Sequence, residues 1–159
     1  ADGSPASRSA TTLEATMCYA LGIDTKLTLL AAGLIFLLAL VLGVWKYRQI
    51  MISDDRRAHV YVDIAHRAAL LYAFATLLIA VFVELSAWPA WLNLTAAMVV
   101  VFFFVAAIGS YVWHGARRDT DNQFDPPVPG TRLGMTLLIL GEIVGFSVVF
   151  AGFIAGQLS

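Results

Sequence analysis

LTLLAAGLIFLLALVLGVW, residues 27–45, runs from Leu27 to Trp45 without a single charge. Wound as an α-helix it would extend about 28 Å, close to the roughly 30 Å hydrocarbon thickness of a bilayer. Three more stretches share its character. Residues 68–91 contain only Glu84, residues 92–113 contain no charge, and residues 133–158 contain only Glu142. An isolated strand in lipid would leave its N–H and C=O groups unpaired, so each stretch is expected to be helical. Period-2 alternation is absent, which argues against a β-barrel. The expectation is an all-α integral membrane four-helix bundle, with spans at about 27–45, 68–91, 92–113 and 133–158.

Composition points the same way. Of 159 residues, 60% are hydrophobic, and the mean hydropathy is +0.80. Soluble domains average about 45–50% apolar residues, so the surplus needs an apolar solvent. A net charge of −1 and the lack of any Lys/Arg run exclude general attraction to nucleic acid. The single cysteine, Cys18, excludes an intrachain disulfide and any CxxC metal site. It reads as an ordinary thiol outside the spans.

The connections set the topology. Residues 46–66 read as a polar loop, and residues 114–132 as a second one with Asp125-Pro126-Pro127-Val128-Pro129-Gly130 as its breaker cluster. Spans two and three are joined by little more than Ser86-Ala87-Trp88-Pro89-Ala90-Trp91, a tight Pro turn that makes them an antiparallel hairpin. Trp88 and Trp91 suit a membrane–water interface. Lys46, Arg48, Arg56, Arg57, Arg67, Arg117, Arg118 and Arg132 belong to the two long loops and their edges, against Arg8 and Lys26 near the N-terminus. The positive-inside rule then places both loops in the cytoplasm and both termini on the non-cytoplasmic side. Residues 1–25 are expected to be a flexible N-terminal segment, rich in Ser, Thr and Ala over residues 1–16 and without the apolar core of a signal peptide. Met17 is a candidate natural start, and Asp24 a candidate N-cap for the first span.

Chemistry-bearing side chains collect at the basic end. His59, His66 and His114 are there, with Asp63, Asp119, Asp121 and Asn122. If His59-Val60-Tyr61-Val62-Asp63-Ile64-Ala65-His66 is helical throughout, His59, Asp63 and His66 share one face. A carboxylate one turn from an imidazole can hold one ring nitrogen and leave the other for a metal. The plainer alternative has Asp63 capping helix two and the histidines solvated. His114 could be an interface residue of an aromatic belt, and Tyr111 either an interface anchor or a donor to a substrate oxygen. Glu84 and Glu142, inside spans, are expected to face the bundle. Gly141 and Gly145 form a small-xxx-small pair that admits a close neighbouring helix. The run Val99–Phe104 could line a hydrophobic or porphyrin pocket, or simply pack. G-x-S-x-G, Walker, H-E-x-x-H and Rossmann motifs are all missing. Three histidines also fall short of the four that a two-haem, all-His cytochrome needs.

With those residues placed, residues 26–158 resemble the small four-helix membrane isomerases, styrene oxide isomerase and the hydroxylaminobenzene mutases. Ala65-His66 opens helix two and Gly109-Ser110-Tyr111 closes helix three, as the family's histidine and tyrosine do. Tyr72 and Phe103 stand where the family has a helix-two asparagine and a helix-three aspartate. The resemblance implies haem b on His66, held between subunits of a homo-oligomer, with iron as Lewis acid and Tyr111 orienting the substrate. His59 and Asp63 would then stand beside the ligand. The expected location is the inner membrane of a bacterium. A different class of function fits the composition equally well: a non-catalytic accessory or anchor subunit of a larger membrane complex. Proton-coupled transport through Glu84 and Glu142 is a third possibility.

Overall fold

A computed structural model describes residues 21–125 and 130–158. Four helices follow one another: α1 Ile23–Ile52, α2 Val60–Glu84, α3 Ala90–Arg117 and α4 Thr131–Gln157. All four are long and apolar enough to cross a membrane. The expectations for Ala1–Thr16, Met17, Cys18 and most of the Asp125–Gly130 breaker cluster lie outside the described residues.

The helices overrun the spans read from hydropathy. Residues 46–52 continue α1 and residues 60–66 belong to α2, so the first loop shrinks to residues 53–59. Paired charges explain the extension. Lys46 reaches Asp63 at 2.5 Å and Arg67 reaches Asp63 at 2.9 Å, so these three charges enter the polar rim as a paired group on helical backbone. In the short loop Asp55 accepts hydrogen bonds from the Ser53 hydroxyl and the Arg57 amide. Those bonds hold its carboxyl below the usual carboxylate range. At the other end α2 stops at Glu84, not Trp91, because Pro89 cannot continue a helix and instead opens α3 as its N-cap.

The N-terminal boundary also moves. Gly22 is the N-cap of α1, whereas Asp24 lies inside the first turn, and Asp24 and Thr25 are buried. Residues 23–25 are therefore helix and not part of a flexible segment. Asn93 on α3 secures them, its Nδ2 donating to Asp24 Oδ2 at 3.3 Å and to the Trp88 carbonyl at 3.2 Å.

The α2–α3 hairpin forms the middle of the molecule. Helix α1 packs on α2 and α3, α4 packs on α3 and α2, and α1 and α4 do not touch. Close approach comes from small residues: Ala39 on α1, Ala65, Ala69 and Ala73 on α2, and Ala96, Ala97 and Ala107 on α3 are buried. The Gly141/Gly145 pair does admit a neighbouring helix, and that helix is α3 of the same chain. A Cβ on Gly145 would stand 2.7 Å from Val100 Cγ2 and 3.0 Å from the Ala96 carbonyl, and one on Gly141 would overlap the Phe103 ring. Around this core runs an exposed belt of large apolar side chains, including Leu34, Leu37, Val41, Leu71, Phe74, Phe102, Leu140 and Ile143. A belt this continuous belongs against hydrocarbon.

The turn between α2 and α3 clamps the far end of α4. Ala87 N–H donates to the Gly152 carbonyl at 3.0 Å, and Trp88 Nε1 donates to the Val148 carbonyl at 3.0 Å. Gln157 Nε2 returns a bond to the Leu85 carbonyl at 3.0 Å. Gly156 makes the approach possible, since a Cβ there would lie 2.6 Å from Leu85 O.

Candidate functional site

The three histidines take three different jobs. His59 is the N-cap of α2: its Nδ1 accepts the Tyr61 amide at 3.3 Å. The proton is therefore on Nε2, which points at Asp121 Oδ1 at 3.2 Å. Its backbone amide donates to the buried Gln49 side chain at 2.9 Å. Both ring nitrogens are engaged, so His59 joins α1, α2 and the second loop rather than offering a ligand. The shared face of His59, Asp63 and His66 does not form, because the helix begins only at Val60.

His66 turns toward α1. Its Nδ1 lies 2.9 Å from the Ala39 carbonyl. A carbonyl only accepts, so Nδ1 carries the proton and Nε2 keeps its lone pair. The ring rests on Gly43, where a Cβ would come within 3.0 Å of Cε1 and 3.3 Å of Nδ1. Orientation of His66, expected from Asp63, comes from this backbone carbonyl. Asp63 is occupied by Lys46 and Arg67. No three of His, Cys, Asp and Glu converge among the described residues, so any metal here would come with most of its own ligands.

On the opposite side of the α2–α3 hairpin, α3 and α4 diverge toward the basic end and leave a cleft of about 330 Å³. Tyr111 and His114, one helical turn apart, both line it. His114 Nδ1 bonds Asp119 Oδ1 at 2.9 Å, just past the end of α3. That bond is the main reason the Asp119 carboxyl is held below its ordinary value. Arg118, in a left-handed conformation with φ 52°, ends α3 and swings Asp119 back toward His114. Phe103, where the family resemblance expects an aspartate, forms part of the apolar wall.

Sequence reasoning missed Tyr61. Its hydroxyl accepts the Gln123 amide at 2.7 Å, its ring lies 5.3 Å from His114, and it stacks 6.2 Å from Tyr111. It ties the second loop onto the bundle over the cleft residues. A bond between positions 61 and 123 leaves no local trace in sequence. Deeper in the bundle, Tyr72 stacks on Phe104 at 4.1 Å, and Glu142 lies within electrostatic reach of both Tyr72 and Tyr111. Glu142 Oε1 is buried without a hydrogen-bond partner among the described residues. Glu84 is the last residue of α2, at the end of the molecule away from the histidines.

His66 thus turns toward α1, whereas Tyr111 stacks on Tyr61 of α2 and lines the α3–α4 cleft. Compared with protein-family models, curated proteins and solved structures, the chain finds no match.

Proposed function

We propose that the chain is a membrane-embedded, haem-dependent isomerase or mutase of a small hydrophobic molecule, working as a homo-oligomer in a bacterial inner membrane. In this reading the 53–59 and 118–130 loops are cytoplasmic. The observation that carries it is the state of His66. A backbone carbonyl holds Nδ1–H, a glycine seats the ring, and Nε2 is left with no protein partner among the described residues. An imidazole fixed through one nitrogen is a more basic and better aimed ligand through the other.

The surroundings suit haem b. Below His66 on the same stripes of α1 and α2 lies an apolar groove of about 310 Å³ lined by Gly33, Phe36, Ala73, Phe74 and Leu77. Above it, Lys46 and Arg67 offer cations for propionates. His66 would hold the iron through its free Nε2. When bound, such a haem supplies a Lewis acid for a substrate oxygen.

The chain's own residues do the rest. The Ala39 carbonyl keeps His66 in one tautomer, Tyr111 donates a hydrogen bond to the substrate oxygen, and the apolar walls exclude water. Within one chain His66 lies at the α1–α2 contact and Tyr111 lines the α3–α4 cleft, so copies would meet head to tail, the α1–α2 groove of one against the α3–α4 side of the next. The accessory-subunit reading loses one support, because the Gly141/Gly145 face that would seat a partner seats α3.

The test is the absorbance spectrum of protein purified from cells supplied with haem. A Soret band is expected, abolished in His66→Ala and restored to that variant by added imidazole. A colourless wild type, or a spectrum unchanged in His66→Ala, rejects the proposal.

A further inference from the structure

The α3–α4 cleft has a chemistry of its own that needs no haem. Its volume, about 330 Å³, is at the lower end for small-molecule sites. The inner walls are apolar: Phe103, Ala107, Met135 and Leu138. Its polar groups sit toward one end and come mainly from one turn of α3. His114, with Nδ1–H given to Asp119, keeps an Nε2 lone pair with no protein partner among the described residues. The Tyr111 hydroxyl likewise has none, one turn along the same face.

The Tyr111 hydroxyl can donate or accept and His114 Nε2 in the neutral ring only accepts, so a ligand that satisfies both must take the Tyr111 proton and give one to His114. A carboxylate or phosphate would want donors only, and an ammonium acceptors only. An ether or ketone would leave Nε2 unmatched, which is costly in a site walled by apolar groups. A hydroxyl matches both: its O–H donates to His114 Nε2 while its oxygen accepts from Tyr111. The apolar end then needs a compact hydrophobic body, and a wall that includes both the Phe103 ring and the Met135 thioether suits an aromatic one.

We propose that this cleft binds a small aromatic alcohol of the phenol class, with His114 and Tyr111 reading its hydroxyl. Asp119 acts as a positioning residue that fixes the His114 tautomer and touches no ligand. The site shares Tyr111 with the isomerase reading but is built within a single chain and needs no haem, so its binding is tested apart from that reading.

The experiment uses the full chain in lipid nanodiscs and 4-fluorophenol observed by 19F NMR, with 4-fluoroanisole as the probe lacking the O–H. Saturable binding of 4-fluorophenol is expected above linear partition into lipid. It should weaken roughly fivefold to tenfold in Tyr111→Phe and His114→Ala, about one neutral hydrogen bond. Asp119→Asn should weaken it as well, and Thr95→Ala, on the lipid face near the other end of α3, should leave it unchanged. In the wild type, the 13Cε1–H resonance of His114 should shift along the same binding curve, a readout that does not depend on any variant folding. Equal binding of 4-fluoroanisole, partition alone, or a His114 resonance indifferent to the probe overturns the proposal. The haem spectrum is recorded on the same samples, and its presence or absence bears only on the isomerase reading.

Discussion

Replacing Gly43 by alanine sets a methyl group against the ring of His66. The new Cβ would lie 3.0 Å from Cε1 and 3.3 Å from Nδ1. Ordinary carbon contacts begin near 3.5 Å, so the ring must retreat by about 0.5 Å. It cannot retreat freely, because Nδ1 is tied to the Ala39 carbonyl at 2.9 Å. Overpacking of this kind costs about 1–3 kcal/mol. A stretched or lost hydrogen bond adds about 1 kcal/mol, and the better helix propensity of alanine returns up to about 1 kcal/mol. The net expectation is a loss of about 1–3 kcal/mol, or roughly 2–12 °C in Tm for a chain of this size. Gly109→Ala is the internal control, since nothing stands within 4 Å of its Cβ. That variant should be neutral or slightly stabilised. The assay is thermal unfolding in a mild detergent, with the 15N shift of His66 Nδ1 read alongside. A Gly43→Ala protein as stable as wild type, with an unmoved Nδ1 resonance, would show that His66 does not rest against α1 as described.

Three further expectations follow from single contacts. Tyr61→Phe removes the acceptor for the Gln123 amide, and hydrogen exchange at Gln123 should accelerate about tenfold while the helices keep their protection. Gly145→Ala drives a Cβ into Val100 and the Ala96 carbonyl; it should destabilise by about 1–3 kcal/mol, measured as a lower midpoint in mixed-detergent unfolding. Asp119 has a depressed folded pKa because of its bond to His114. Its contribution is therefore present above its unfolded value, near 3.8, and is lost as pH falls through the lower folded value. Protection of the 118–125 loop should decline below about pH 4 in wild type, and Asp119→Asn should already lack that contribution at neutral pH.

The four helices were legible because lipid leaves a chain few alternatives: twenty apolar residues without charge have one way to satisfy their backbone. Helix ends were less legible. A hydropathy window stops at the first charge, and Lys46, Asp63 and Arg67 look like loop residues until their mutual pairing is seen. Tyr111 and His114 were visible as candidates from their place at the end of a span. Their partnership in one cleft was not, because it depends on α4 diverging from α3 and on Arg118 turning Asp119 back. His66 stood out from its place where the second apolar run opens, but its anchor is a main-chain carbonyl 27 residues upstream, and backbone acceptors have no letter in a sequence.

Helix α4 buries only Gly145, Val149 and Gly152, all in its second half. Its first half, which walls the cleft, has no buried residue, while its tail is stapled to the Trp88 turn. With α4 fastened at its tail and without buried residues along its first half, the cleft it walls is bordered by apolar surface suited to the bilayer rather than to water. A guest arriving from the bilayer is first concentrated by the membrane itself. The occupancy it reaches then follows its oil–water partition as much as its fit.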